Sequence, residues 1–417
     1  MNVLRWQKEN KRNIALKIVV FLLNPLFSLV VAFSRLKTRS SFFLLFFIFV
    51  LFGASLTVPS IRTEEFNYDG IEYRIQFEEY LNVDLLNYLT RLKDYFSFEG
   101  RSDFYSDTLF FLVSCCTGNY HLMFFVVSVI FSFFMLKSLK IFVLESNYTN
   151  TISCLLLTFL FLINHILNIN MFRFFTAAWI AIYSLLNLFV LNKRSYIFLL
   201  LLTPFFHGSF FIFYVFLLFY YLLGNRTFCL FFFVFSFFFG SAVELLQGSM
   251  AFLPANIGMR LDLYLNENYM YEINEGGSGF IWIKRLLETL DWFFVNFIIL
   301  LFFLKFKTHI SETKCENLFL FLMILISFVN CTMIIPSMGS RFMLLTIPLI
   351  AYIGLVCFWS SWYKKVLSCF SIFVLMQAFL PFSIRLLPCI KEYFDLWELP
   401  FFLVSPVISF IKYVFLY

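Results

Sequence analysis

The sequence predicts an all-α polytopic integral membrane protein, with about 11–12 transmembrane helices and two large loops on the outer side of the bilayer. Three observations carry this. Of the 417 residues, 61% are hydrophobic and only 13% are charged, about half the charged share of an average soluble chain. Ten runs reach or approach the roughly 20 apolar residues that cross a hydrocarbon core. Once those spans are laid down, the charges separate by side. A soluble enzyme, a disordered chain and a fibre are excluded, because so apolar a chain cannot cover its own core with polar surface. The 66 phenylalanines are interchangeable with leucine as lipid-facing residues and mark no site.

Stretch 14–33 has basic residues at both ends, Arg5, Lys8, Lys11 and Arg12 before it with Lys17 in its first turn, and Arg35, Lys37 and Arg39 after it, with Asn24–Pro25 at its centre. Both ends favour the cytoplasm, so it reads as an interfacial or re-entrant element rather than a span. Run 41–58 is the first span. The first outer loop, 59–118, reads as surface helices: Tyr73, Phe77, Tyr80 and Leu81 share one helical face, and Leu85, Leu89, Leu92 and Phe96 another. Segment 102–117 opens with a Ser102 cap and two acids a turn apart, Asp103 and Asp107, then turns apolar and is expected to dip into the outer leaflet. Runs 119–136, 151–168 and 174–191 follow as spans. Stretch 195–223 is interrupted at Pro204–Gly208. Read as a broken helical hairpin, two half-length passes meeting at His207–Gly208, it keeps Lys305, Lys307, Lys364 and Lys365 on the cytoplasmic side. Run 228–243 leads into the second outer loop, 244–288, whose Gly276-Gly277-Ser278-Gly279 is a flexible turn, since no strand precedes it. Runs 289–304, 318–335, 342–359 and 366–382 complete the set, while 400–417, with Pro400, Pro406 and Lys412, either spans or lies on the outer surface. Residues 1–417 are thus expected to form a single polytopic domain with a cytoplasmic N-terminus, and no cleaved signal peptide is expected.

On this topology the inner side holds 18 basic and 4 acidic residues, and the outer side 13 basic and 21 acidic, a separation of +14 from −8. A wrong topology would scatter the signs. The nine cysteines include no C-x-x-C pair and the four histidines no zinc spacing, so neither a metal nor a disulfide framework is expected. No nucleotide-binding motif is present and no inner loop is long enough for a domain. ATP-driven transport and nucleotide-sugar chemistry at the inner face are therefore not expected, no cofactor or nucleic acid is implied, and any chemistry is expected on the outer side.

There the arginines are the informative residues. Arg173 and Arg341 each begin a span, and Arg260 lies in the second loop in R-L-D-L-Y. An arginine at a helix start meets the positive end of the helix dipole and calls for an anion. That anion is either a bound phosphate, which guanidinium forks and helix amides hold well, or a lipid headgroup or neighbouring carboxylate. His207, at the hairpin apex, is placed as a general base or a donor to phosphate, or as a turn residue bonding freed carbonyls. Asp69, in N-Y-D-G-I-E-Y, and Asp103 and Asp107 stand among aromatics before helices, a pattern also found in sugar-binding grooves; most other outer acids are solvated surface.

These residues carry a resemblance. Over about residues 60–345 the sequence resembles the EpsG-like branch of the Wzy-type polysaccharide polymerases, in F-N-Y-D-G-I-E-Y-R, the M-F-R-F-F-T-A-A span start, K-R-S-Y followed by T-P-F-F-H-G-S, the R-L-D-L-Y loop and the G-S-R-F span start. It departs from that pattern at Phe174, where a polar residue, often Gln, is expected after the arginine, and in the 14–33 element. The resemblance implies a fold of the glycosyltransferase C-like superfamily in the bacterial inner membrane, with its active site facing the periplasm. The implied donor is a glycan on undecaprenyl pyrophosphate and the implied acceptor a new lipid-linked repeat unit. Arg173, Arg341 and Arg260 would clamp the leaving pyrophosphate, and His207 or Asp69 would serve as base. Tyr73, Asp103, Asp107 and Tyr264 would contact sugar, with no metal and no cofactor, beside a flippase and a chain-length regulator as partners. An O-antigen ligase or polyprenyl-phosphate-sugar glycosyltransferase, and a lipid-linked oligosaccharide flippase, are the competing readings.

Overall fold

The computed structural model describes residues 6–61, 69–97, 99, 104–238, 281–333, 335–384 and 405–415, and among them every regular element is helical. The order is α1 (Lys11–Leu23), α2 (Pro25–Ser34), α3 (Arg39–Ala54), α4 (Asp69–Tyr80), α5 (Leu85–Phe96), α6 (Tyr105–Ser114), α7 (Tyr120–Leu144), α8 (Ile152–Phe161), a 3-10 turn (Ile166–Met171), α9 (Phe172–Leu185) with a π-turn at Leu186–Val190, α10 (Tyr196–Leu201), α11 (Thr203–Phe206), a second 3-10 turn (Gly208–Phe211), α12 (Ile212–Leu223), α13 (Arg226–Ser236), α14 (Ile281–Leu304), α15 (Phe306–His309), α16 (Glu316–Thr332), α17 (Pro336–Cys357), α18 (Ser361–Ile384) and α19 (Pro406–Phe415).

Four stretches among the described residues are long and apolar enough to cross a membrane: Tyr120–Leu144, Asn168–Val190, Leu286–Leu304 and Met338–Cys357. Several other runs expected to span are apolar but shorter as helices. Helix α8 is only ten residues long and stops at Phe161, and run 195–223 breaks into four pieces. Apolar composition measures what lipid tolerates; it does not require an unbroken backbone, because bundle interiors can accept the groups a break releases.

Asn24 is extended (φ −156°) and its side chain caps α2 by accepting from the Phe27 amide at 3.1 Å, so α1 and α2 are separate helices of 13 and 10 residues. At 1.5 Å per residue they reach about 20 and 15 Å, short of a ~30 Å core. The Gln7 amide donates to the Lys37 carbonyl at 2.9 Å, so the element ends where it began. In 195–223 the chain turns at extended His207 (φ −157°), and the Tyr214 hydroxyl of the returning arm donates to the Leu201 carbonyl of the first at 2.6 Å.

Helix α9 is the hub: of its fourteen residues only Arg173 and Tyr183 are not buried. The Trp179 indole donates to the Asn164 carbonyl at 2.7 Å, and the Asn164 amide in turn to the Leu344 carbonyl at 3.0 Å, tying α9 to α17. A second polar knot joins α13, α14 and α16. There Asn330 accepts from the Trp292 indole at 2.7 Å, exchanges bonds with Asn296, and donates to the Ser236 hydroxyl at 3.0 Å. Such interhelical bonds hold helices together where apolar burial gives no preference between helix and lipid.

Contacts between helix ends fall into two sets. One joins Lys314 to Glu145 (3.1 Å), the Asn150 amide to the Ser34 carbonyl, and Arg226 to the Phe303 ring. The other joins Arg74 to the Tyr120 ring, Asn119 to the Tyr413 carbonyl, and Tyr105 to Phe206. Helix α19 is ten residues long, about 15 Å and too short to cross. It docks through Tyr413 on Asn119 and His121 at the start of α7.

Candidate functional site

The second set of ends surrounds the first turn of α9. Helix α4 is fixed to it by Gly70, whose amide donates to the Asn170 side chain at 2.7 Å. A Cβ at Gly70 would collide with that same oxygen, so a larger residue there would displace the Asn170 side chain and weaken the bond. This bond holds Asp69, exposed at the first turn of α4, beside the chain that runs into Arg173.

Within one turn, α9 presents two sides. Phe172 and Arg173 meet Tyr73 of α4: the rings of Phe172 and Tyr73 lie 4.4 Å apart, and Arg173 Nε donates to the Tyr73 hydroxyl at 3.2 Å. Met171 and Phe174, three residues apart and hence on a common face, receive Arg341 from α17. Its guanidinium is 3.8 Å from the Met171 sulfur and 5.9 Å from the Phe174 ring centre, a cation over an aromatic face. Among the described residues no carboxylate pairs with Arg341. Its position depends on Gly339, where a Cβ would come within 2.6 Å of the Thr332 carbonyl oxygen and the Met333 Cα. Both are backbone atoms and cannot swing away.

Phe174 also meets His207, edge to face at 5.4 Å, so one ring lies between the hairpin apex and Arg341. His207 Nδ1 accepts from the Ser209 amide at 3.3 Å and lies 2.8 Å from the Ser209 hydroxyl. With Nδ1 an acceptor, the neutral ring carries its proton on Nε2 and acts there as a donor. Tyr105 of α6 closes another side, its ring 5.7 Å from Phe172 and 4.5 Å from Phe206.

The structure therefore brings together Asp69, Tyr73, Arg173, His207 and Arg341. Tyr73 is buried (3% exposed) and serves as a rest for Arg173; an open sugar platform would need its ring in solvent. Asp107 is apart from this group. It is buried at the first turn of α6 beside Tyr80, whose ring carries the Arg91 guanidinium at 4.8 Å. Burial first, and then the Asp107 carboxylate, pushes the Tyr80 phenol up to about 12. Asp107 thus helps to join α4, α5 and α6. Asp103, Arg260 and Tyr264 lie outside the described residues.

Phe174, which departs from the resembled pattern, and Met171 and Tyr105 are residues of this site beyond those expected from the sequence. The i, i+3 spacing of Met171 and Phe174 next to an arginine was the available signal for the first two; nothing in the sequence marked Tyr105. Among the described residues no cluster of His, Cys, Asp and Glu could hold a metal ion. What the arrangement can do is bind an anion: two guanidinium groups from different helices converge on one helix start, with an imidazole N–H close by.

No curated protein and no solved structure matches the chain. The EpsG family model matches residues 42–394, from the first span expected in the sequence to beyond α18, and the chain belongs to that family.

Proposed function

We propose that this membrane protein polymerises oligosaccharide repeat units carried on undecaprenyl pyrophosphate into O-antigen, capsule or exopolysaccharide, at the periplasmic face of the inner membrane. Membership of the EpsG family supports a glycosyltransferase-like polymerase of polysaccharide synthesis. The observation that carries the finer reading is Arg341, seated on Phe174 and Met171 without a carboxylate among the described residues, at the same helix start as Arg173.

In the reaction the acceptor hydroxyl attacks the anomeric carbon of the donor glycan, and the bond from that carbon to the lipid pyrophosphate breaks. The leaving group is already activated, so no nucleotide is consumed. Negative charge grows on the departing pyrophosphate, where Arg173 and Arg341 stabilise it, joined by Arg260 from the second outer loop. His207, with its proton on Nε2, donates to a pyrophosphate oxygen. The acceptor's proton goes to Asp69, the exposed carboxylate next to Gly70.

Deletion in the host, followed by electrophoresis of the surface glycan, tests this. The expected result is loss of the long-chain ladder with a single repeat unit still attached. Loss of every unit points to a flippase or ligase and contradicts the reading. For orientation, a cysteine placed at Lys364 is expected to resist an impermeant thiol reagent in intact cells.

A further inference from the structure

At the other end of α7, a cavity of about 400 Å³ lies between that helix and the start of α3. From Tyr120 to Lys137 the axis rises about 26 Å, so the cavity is far from the arginine site. Three cations line it, Arg39, Lys137 and Lys140, together with Trp6, Phe43 and Phe133. Each cation faces a ring: Lys140 is 5.4 Å from the Trp6 centroid, Lys137 5.1 Å from Phe133, and Arg39 5.4 Å from Phe43.

Among the described residues none of the three is in an ion pair. Glu9, the carboxylate near the start of α3, is already taken up by Lys17 at 2.7 Å and by the Ser40 hydroxyl. The neighbouring charges acting on Lys140 are Lys137, Lys193 and Arg39, all positive. Like charges gathered over one cavity repel. Phe43 and Phe133 are 53% and 45% exposed, so the cavity opens sideways onto the apolar perimeter of the bundle. A cationic rim over such an opening matches one ligand chemistry, a phosphate carried on a hydrocarbon chain.

We infer that this cavity binds a lipid of net negative charge on its phosphate headgroup, with the phosphate among Arg39, Lys137 and Lys140 and the chain leaving past Phe43 and Phe133. Two sources share that chemistry, an anionic bilayer phospholipid and a long-chain prenyl phosphate; zwitterionic phosphatidylcholine does not.

The test uses the full chain in phosphatidylcholine nanodiscs, titrated separately with phosphatidylglycerol, a long-chain prenyl phosphate and inorganic phosphate, and read by native mass spectrometry. Wild type is expected to retain at least one of the two lipids in preference to phosphatidylcholine, and the lipid retained identifies the source. Changing Arg39→Gln, Lys137→Gln and Lys140→Gln together is expected to weaken that binding roughly 100-fold, at about fivefold per cation. Lys137→Arg with Lys140→Arg is expected to keep it. Unchanged thermal unfolding in phosphatidylcholine establishes that the triple variant is folded; if it is not, the three single variants carry the test, each expected to weaken binding about fivefold. Equal lipid retention by the neutralised variants, no preference over phosphatidylcholine, or binding of inorganic phosphate without either lipid overturns the inference.

Discussion

Lys17 and Arg341 stand near opposite ends of the bundle, and their surroundings differ in kind. Lys17 is 3% exposed and fully served: Glu9 at 2.7 Å and the hydroxyls of Thr38, Ser40 and Ser41 at 2.8, 2.7 and 2.8 Å. Every proton of the ammonium has an acceptor and the charge is cancelled, so nothing is left over for a ligand. Arg341 rests on a thioether and a ring face. These are soft contacts that fix the guanidinium in place while leaving its fork of donors to be used by something else. The first cation closes the fold of the 14–33 element; the second, in the proposed reading, is held ready for an anion. What distinguishes the two is the character of their partners, since both are ordinary basic residues near helix ends.

The largest effect that would sharpen this contrast is on stability. Lys17→Met leaves Glu9 buried without its counter-ion and is expected to cost about 3–5 kcal/mol, measured as a fall in thermal unfolding temperature of the purified protein. Polymer made per folded molecule should stay near wild type. Adding Glu9→Gln should return most of the stability, because an unpaired charge is then no longer buried. If Lys17→Met unfolds normally, the two cations are not different in kind.

Next comes Gly339→Ala. Its new methyl meets the Thr332 carbonyl and Met333 backbone, so the start of α17 must shift and carry Arg341 with it. A displacement near 1 Å is expected to cost about 10- to 100-fold in polymerisation, with protein levels close to normal. A quantitative blot alongside the glycan ladder separates the two. Smaller still is Phe174→Leu, which removes the ring between Arg341 and His207. Its loss is expected to slow polymer formation about two- to fivefold, in line with a cation–π contact of 0.5–1 kcal/mol. Wild-type rates in that variant would mean that Phe174 only fills space.

The smallest effect concerns pH at the closed end. Burial raises the Glu9 carboxyl, but the bonds from Lys17 and Ser40 and the charges of Lys17 and Arg35 outweigh it, and its pKa lies below the usual 4.5. A carboxyl depressed on folding adds stability above its unfolded pKa and loses that contribution as pH falls through the folded value. Unfolding temperature measured from about pH 6 down to 3 should therefore fall more steeply in wild type than in Glu9→Gln. Parallel curves would contradict the assignment.

Much of this was legible in the sequence. Lys314 and Glu145, both expected on the inner side, meet one another. The breaks at Asn24–Pro25 and around His207 follow from residues that cannot continue a helix. Arg173 and Arg341 were conspicuous because cations at helix starts oppose the dipole. The actual helix lengths were not legible: α8 stops at Phe161, ahead of Asn164 and His165 in a run whose average is strongly apolar, and average hydropathy does not register where a backbone turns. Neither was the inward turn of Tyr73 or the burial of Asp107. The amphipathic pattern gives each helix a face, but which neighbour covers that face depends on Gly70 reaching Asn170, a contact a hundred residues apart in the chain.

The central claim is that Arg341 is a guanidinium held for a pyrophosphate. The most direct measurement is the rate of polymer formation from a pyrophosphate-linked repeat unit by purified wild type, Arg341→Ala and Arg341→Lys at matched folded protein. The account predicts a fall of at least about 100-fold in both variants, because one lost donor to developing negative charge costs about 2.7–4 kcal/mol and a lysine cannot form the paired bonds of the fork. Polymer made at the wild-type rate by Arg341→Ala would contradict it.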